Sequence, residues 1–290
     1  MKHFTIPSLL GLLVSLSSGP LRAQEREAKE QISQEFTLST DAGRHTLALH
    51  NIEGSVTVQA YAGRKVVLEA TKTIRAHDAP TLELGKREVQ LAFLQRNDSV
   101  VAYLKEPFDS RPNRNNCNGN HQQINYDYAV DYVVKVPYQI NLHVSTINNG
   151  TVLIEGVTGT LKAYNVNGAV TLRNVQGLTT ARTVNGDVEA TYAAQPPGAS
   201  SYNTINGEIK VTYPADLSAD IHFKSMHGEL FTNFPNVETL PLQVTQGKRR
   251  SGGGTQYKLT KDTAVRLGRG GKDFRFETLN GNVTIKQQPQ

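Results

Sequence analysis

The chain of 290 residues has no tryptophan, one cysteine and two methionines, and aromatic residues make up only 7% of it. A single cysteine, Cys117, excludes an intrachain disulfide, so packing and backbone hydrogen bonds must hold the fold. Cys117 sits in a polar run from Arg111 to His121 with no fixed base beside it, and reads as an exposed spectator thiol. No apolar run is long enough to span a membrane. Helix-forming runs of Ala, Leu, Glu and Lys are scarce as well. Gly, Thr, Asn and Val take their place, the composition of many short strands joined by tight turns.

The first 23 residues follow a different order. Lys2 and His3 precede the apolar run Leu9-Leu10-Gly11-Leu12-Leu13-Val14, and Leu21-Arg22-Ala23 ends on a small residue before Gln24. Charged, apolar and cleavable segments in that sequence are a secretory signal peptide, so the expected location is extracytoplasmic: periplasm, outer surface or secreted. Cleavage near Ala23 removes Lys2 and Arg22 and no acid, so the formal charge falls from +5 to +3. So small a basic excess attracts anionic surfaces weakly, and without a dense basic stripe it argues against a nucleic-acid partner.

What is abundant is repetition. Gly150, Gly159, Gly168, Gly177 and Gly186 fall nine residues apart, and around alternate glycines a short phrase returns: Asn165-Val166-Asn167-Gly168, Thr183-Val184-Asn185-Gly186, Thr204-Ile205-Asn206-Gly207, Ser225-Met226-His227-Gly228 and Thr278-Leu279-Asn280-Gly281. Fixed-period self-similarity is the mark of a solenoid. Counting back from the Asn, every second position is apolar or small: Val144, Ala163, Ala181, Tyr202, Phe223 and Phe276, then Thr146, Asn165, Thr183, Thr204, Ser225 and Thr278. Such alternation gives each strand an inner and an outer face. The fold expected is therefore an all-β, single-stranded β-solenoid of 18–21-residue coils stacked about 4.8 Å apart. Asn-Gly supplies a positive φ at each corner, and stacked Asn and Thr rows satisfy one another.

In order, the expected parts are a signal peptide (1–23), a polar leader (24–35), an N-terminal β region (36–136) with a long loop at 108–123, the repeat region (137–286) and a polar tail (287–290). Within the N-terminal region, Thr81 to Leu104 reads as two strands rather than a helix, and Ile124 to Val136 as one strand with Tyr126, Tyr128 and Tyr132 on a single face. Ile52-Glu53-Gly54-Ser55-Val56 resembles an early copy of the corner phrase. Lys248-Arg249-Arg250 before three glycines reads as a solvated basic turn.

From Val133-Val134-Lys135-Val136-Pro137, the phrase Thr183 to Val188 and its echoes at 204–209 and 278–283, the chain resembles the adhesin-domain family of bacteria, exported β-solenoid proteins largely of unknown function. The resemblance spans roughly residues 36 to 286. It implies an extracytoplasmic, non-enzymatic protein, with no catalytic residues to carry over. His227, standing where the phrase has Asn, departs from the pattern.

Catalytic motifs are missing: no His-x-x-x-His, no Gly-x-Ser-x-Gly and no phosphate loop occurs. Calcium-binding nonapeptides need Gly-Gly-x-Gly-x-Asp, which only Asn185-Gly186-Asp187 approaches. Asp187, Glu208 and Glu229 follow the corner glycine in what should be successive coils, and a stack of three carboxylates could share a Ca²⁺. His143 and His222 stand at equivalent outward positions four coils, roughly 19 Å, apart, too far to share a metal. The outward row of Ser145, Tyr164, Arg182, Asn203 and Lys224, flanked by Lys162 and Thr180, is the candidate binding face for an extended partner, a cell-surface glycan or a protein strand. The reading is a non-enzymatic envelope or surface interaction protein with no cofactor beyond that Ca²⁺. A carbohydrate-active β-helix enzyme and a periplasmic accessory of a regulatory membrane system stand as alternatives.

Overall fold

The computed structural model describes residues 25–38, 45–112, 124–241, 244–248, 255–259 and 263–289. The signal segment, Cys117 and Arg249–Gly254 lie outside the described residues. The fold is all-β, with two large mixed sheets and one helix. None of its described helices is long and apolar enough to cross a membrane.

From Asn141 onward the chain alternates between the sheets. Val152–Glu155, Val170–Val175, Val188–Tyr192 and Ile209–Tyr213 pair in parallel in the first sheet, while Asn141–Ser145, Leu161–Tyr164, Thr179–Arg182 and Ser200–Asn203 do so in the second. Register steps are 18 residues from Val152 to Val170 to Val188, then 21 to Ile209. Each turn of chain thus adds one strand to each sheet, and the inward residues of both meet in one core. Val152, Val170, Val188, Ile209 and Val283 are fully buried there. Each contributes about 1.5–3 kcal/mol by leaving water. The 18-residue layers carry Ala163 and Ala181 at the inner position of the second sheet; the 21-residue layer carries Tyr202. Longer turns make room for larger side chains. Tyr192, Tyr202 and Tyr213 satisfy their hydroxyls on one another: Tyr213 Oη donates to Tyr202 Oη (2.9 Å) and Tyr192 Oη to Thr179 Oγ1 (2.6 Å). Burial raises all three phenols, Tyr192 to about 12.

The sheets run without a break across residue 137. Val56–Tyr61 lies between Asp127–Pro137 and Val152–Glu155, and Thr46–His50 between Ser99–Glu106 and Asn141–Ser145. The early phrase around Glu53 is thus the first layer of the stack. More unexpected is the other end. Asp273–Glu277 inserts between Ser200–Asn203 and Ala219–Lys224, and Val283–Gln287 between Ile209–Tyr213 and Leu230–Thr232. Chain order predicts that this last phrase closes the stack. Instead it forms the penultimate parallel layer, and His227 ends the corner column, while in the second sheet Thr263–Leu267 and then Glu238–Thr239 add antiparallel beyond Ala219–Lys224.

Two further expectations need correction. Most of the stretch read as leader (24–35) belongs to the edge strand Arg26–Thr37, antiparallel to Lys65–Ala76. Its faces are mostly exposed, so it lacks apolar alternation. Charged side chains guard the free edge and pair across the ladder, Glu27 with Arg75 (2.8 Å), Glu30 with Lys72 (2.6 Å) and Glu35 with Lys65 (2.8 Å). Within Thr81 to Leu104, the first stretch is a helix, Ala79–Glu88, ahead of the strands Gln90–Arg96 and Ser99–Glu106. Asp78 caps it by accepting the Thr81 N–H (2.7 Å), and Lys86 and Arg87 sit at its C-terminal end. Tyr126 packs under this helix with Ile74, Val89 and Leu104 instead of continuing the face of Tyr132.

Candidate functional site

The corner where each layer passes from the second sheet to the first is built from four kinds of residue in parallel columns. Innermost is a hydroxyl or amide that, from Thr146 to Thr278, donates to the corner-glycine carbonyl of the preceding layer; Ser225 in the outermost layer does not. Thr146 Oγ1 reaches Gly54 O (2.7 Å), Thr183 Oγ1 reaches Gly168 O (2.8 Å) and Thr204 Oγ1 reaches Gly186 O (2.8 Å). The glycines form the second column. An Asn-Gly corner calls for positive φ, but Gly150, Gly186, Gly207 and Gly228 do not have it. Their requirement is space: a Cβ on Gly207 would stand 2.0 Å from Gly186 O, and one on Gly186 would stand 2.3 Å from Gly168 O.

The third column is asparagine. Asn167 Nδ2 donates to Asn148 Oδ1 (2.7 Å), Asn185 to Asn167, Asn206 to Asn185 and Asn280 to Asn206 (2.8 Å each). The chain of amides ends on Glu53, whose carboxylate accepts from Asn148 and Asn149 (2.8 Å each). All the amide dipoles therefore point one way, toward an anion.

The fourth column was not anticipated. Between the buried residue and the asparagine stands an apolar side chain in every layer: Ile52, Ile147, Val166, Val184, Ile205, Leu279 and Met226. Four of them face water, Ile147 at 39% exposure, Ile205 at 40%, Leu279 at 38% and Met226 at 70%; Val166 and Val184 are half-buried, and Ile52 packs against the cluster under the helix. The signal was present in the phrase itself, which carries an aliphatic residue at that place each time. It passes unnoticed when positions are sorted only into inner and polar.

Of the expected binding row, Ser145, Tyr164, Arg182 and Asn203 are adjacent rungs on the outer face of the second sheet. Lys224 belongs to the row but not next to Asn203, because Glu277 enters between them. Arg182 Nε donates to Asn203 Oδ1 (3.3 Å), Asn203 Nδ2 to Glu277 Oε2 (3.1 Å) and Lys224 Nζ to Glu277 Oε1 (2.6 Å). Lys162 and Thr180 flank the row as neighbours in the next one. His143 and His222 lie in that flanking row with Lys162, Thr180, Ser201 and Arg275 between them, five spacings or about 24 Å apart rather than four.

The expected stack of Asp187, Glu208 and Glu229 is broken by the same insertion. Asp187 Oδ1 accepts the Glu208 N–H (2.8 Å), but the next layer places Asn282, whose Oδ1 accepts the Glu229 N–H (3.0 Å). Glu208 itself pairs with Lys210 (2.5 Å). Among the described residues no cluster of three or more His, Cys, Asp or Glu is placed to hold a metal ion.

At the Ser145 end of this row, the segment after Pro107 folds over the sheet. Ser110 Oγ donates to His50 O (2.6 Å), and the Arg111 guanidinium lies 4.1 Å from the Tyr103 ring centre. His50 is left 5% exposed, its Nδ1 2.9 Å from Ser145 Oγ, its ring edge-on to His143, which in turn meets Tyr164 edge-on. Burial pushes the His50 pKa down to about 4, with His143 and Arg111 adding to it and Asp109 opposing. Burial, then Lys162, lowers that of His143. The unfolded chain protonates His50 near pH 6.5, the fold only near 4, so its stability is complete above 6.5 and declines as pH falls from 6.5 toward 4. The loss is at most about 3 kcal/mol. Urea melts at several pH values between 7 and 4 should show it, and His50→Gln should flatten the slope in that window. An unchanged slope in His50→Gln would assign the pH dependence to other groups.

No protein-family model matches the chain, and no curated protein sequence does. Among solved structures it is similar to a candidate cell adhesion protein from Clostridium sporogenes ATCC 15579 (11% identity, TM-score 0.39, covering 89% of this chain and 100% of that one). It is also similar to a candidate adhesin from Bacteroides fragilis NCTC 9343 (12%, 0.32, 90% and 98%) and a candidate lipid binding protein from Parabacteroides distasonis ATCC 8503 (10%, 0.30, 89% and 97%). Likeness at this level decides nothing about what this chain does.

Proposed function

We propose that the chain is an exported, non-catalytic β-solenoid that holds an extended partner, a cell-surface glycan or a protein strand, along the outer flank of its second sheet. The observation that carries this reading is the row from Ser145 to Lys224. Six rungs, spaced by the strand separation, form a flat polar track about 24 Å long. Such a track suits a chain-like ligand better than a compact one. The hydrogen bonds that tie Arg182, Asn203, Glu277 and Lys224 along the row hold long side chains in one arrangement before any ligand arrives. Less side-chain freedom is then lost on binding. A solenoid built from one repeated layer gains such a track without a pocket, because every layer adds one rung.

A glycan array probed with the chain lacking residues 1–23 tests this. The expected result is binding to one class of extended polysaccharide, weakened at least about 30-fold when Tyr164, Arg182 and Lys224 are all replaced by Ala. Binding of undiminished strength in the triple variant would clear this flank of the role. Release of reducing sugar from any bound polysaccharide would point instead to a carbohydrate-active enzyme.

A further inference from the structure

The column of exposed and half-buried aliphatic side chains at the corner runs beside the proposed polar track, two residues along the chain from each of its rungs. A soluble surface scatters single apolar residues, but a continuous line of them is an interaction feature. Here seven layers each place one at the same corner, in a line of about 29 Å. Its neighbour, the asparagine column, is already hydrogen-bonded lengthwise, so covering it leaves few amides without partners.

We propose that this corner is the interface of a homodimer in which two copies lie antiparallel, aliphatic column against aliphatic column. Repeat distance selects the occupant. A partner that fills every rung must carry apolar side chains at the same strand spacing, and a second copy does so by construction, as identical ladders do in dry interdigitated sheets. Charge selects the direction. On one flank the early layers carry Ser145 and Tyr164, the late layers Arg182, Asn203, Glu277 and Lys224; on the other, Thr151 and Ala169 are followed by Asp187, Glu208, Asn282 and Glu229. With a two-fold axis between Val166 and Val184, the six layers from Ile52 to Leu279 pair while Met226 lies past the end, and the charged half of each flank meets the uncharged half of the same flank. Arg182 then faces Tyr164, Asp187 faces Ala169, and no like charges oppose. The aliphatic column with its two flanks comes to roughly 20 residues a side, the size of an ordinary stable interface.

The chain lacking residues 1–23 should sediment as a dimer at about 100 µM, and Ile205→Asp should weaken association at least about 100-fold. Because Ile205 is already exposed, the melting temperature of the monomeric variant should stay within about 2 °C of the monomeric wild type in dilute solution. In a Cys117→Ser background, Ile52→Cys and Leu279→Cys should form a disulfide only when the two variants are mixed. A monomer at that concentration, a dimer that survives Ile205→Asp, or self-linking of Ile52→Cys alone would each overturn the proposal. So would a monomer that floats with phosphatidylcholine vesicles through this corner, which would assign the column to a lipid surface. Tyr164, Arg182 and Lys224 flank this interface as well as forming the track, but Ile205 is not a rung of the track, so failure of glycan binding and failure of dimerisation stay distinguishable in Ile205→Asp.

Discussion

A chain ended at Lys272 is expected to lose its last layers altogether and to unfold in two steps rather than one. The missing strands, Asp273–Glu277 and Val283–Gln287, are not a terminal cap but the middle rung between two others in each sheet. Phe274, Phe276, Val283 and Ile285 are at most 1% exposed. Phe276 stacks on Tyr202 (4.9 Å between centres) and Phe274 on Tyr213 (5.4 Å). Four such side chains represent about 6–12 kcal/mol of burial, comparable with the whole stability of an ordinary domain. With them gone, Ala219–Lys224 and Leu230–Thr232 have no neighbour at strand spacing on that side, Tyr202 loses Phe276, and Tyr213 keeps only Tyr192 to stack on. Layers up to Arg182 touch only their own neighbours and should persist. Limited proteolysis should therefore cut the shortened chain between 214 and 241 while sparing the earlier layers, and near-ultraviolet circular dichroism should lose part of its tyrosine signal. If the shortened chain melted within about 2 °C of the full one and resisted cleavage there, the inserted layer would not be the keystone its position implies.

That inserted layer also marks where reading the sequence stops being sufficient. The repeat from Val144 to Thr212 announces itself, because period-two alternation and a fixed glycine spacing are local properties of the chain. Asn167, Asn185 and Asn206 stand in one column as that spacing requires. Local pattern says nothing about which layers are neighbours once the chain has left the stack and returned. Phe274 to Ile285 carry the same phrase as their neighbours, yet nothing in the phrase says that they slot between residues 200–213 and 219–232. Both changed neighbour relations follow from this one point: Glu277 separates Asn203 from Lys224, and Asn282 separates Glu208 from Glu229. The strand Arg26–Thr37 was hidden for a different reason. An exposed edge has no buried face, so its charges look like those of a loose leader. The helix Ala79–Glu88 was legible in part, since Asp78 and Pro80 are start signals, but its short apolar pattern of Leu82 and Leu84 also fits alternation.

Replacing Gly207 by Ala should cost more than 3 kcal/mol, lowering the melting temperature by roughly 10 °C, although the added group is a single methyl. The reason is the close approach of layers at the corner, not the backbone angle. Gly207 has no positive φ, but a Cβ there meets Gly186 O at 2.0 Å, Gly186 C at 2.5 Å and Asp187 Oδ1 at 3.0 Å. The first two are backbone atoms, held by the Gly186 N–H donating to Asn206 O (3.0 Å) and the Gly207 N–H donating to Asn280 O (3.1 Å). Neither layer can withdraw without stretching these bonds, the Thr204 bond to Gly186 O and the asparagine ladder beside them. Gly156 makes the contrast. Its φ of +70° is strained for any side chain, yet a Cβ there finds only Ala60 Cβ, at an ordinary 3.5 Å. Gly156→Ala should therefore cost only the left-handed penalty of about 1–2 kcal/mol. The ordering is the test: equal losses for the two variants in urea melts would mean that the corner can open to admit a methyl. In that case the glycine column would owe its place to something other than the contact between layers.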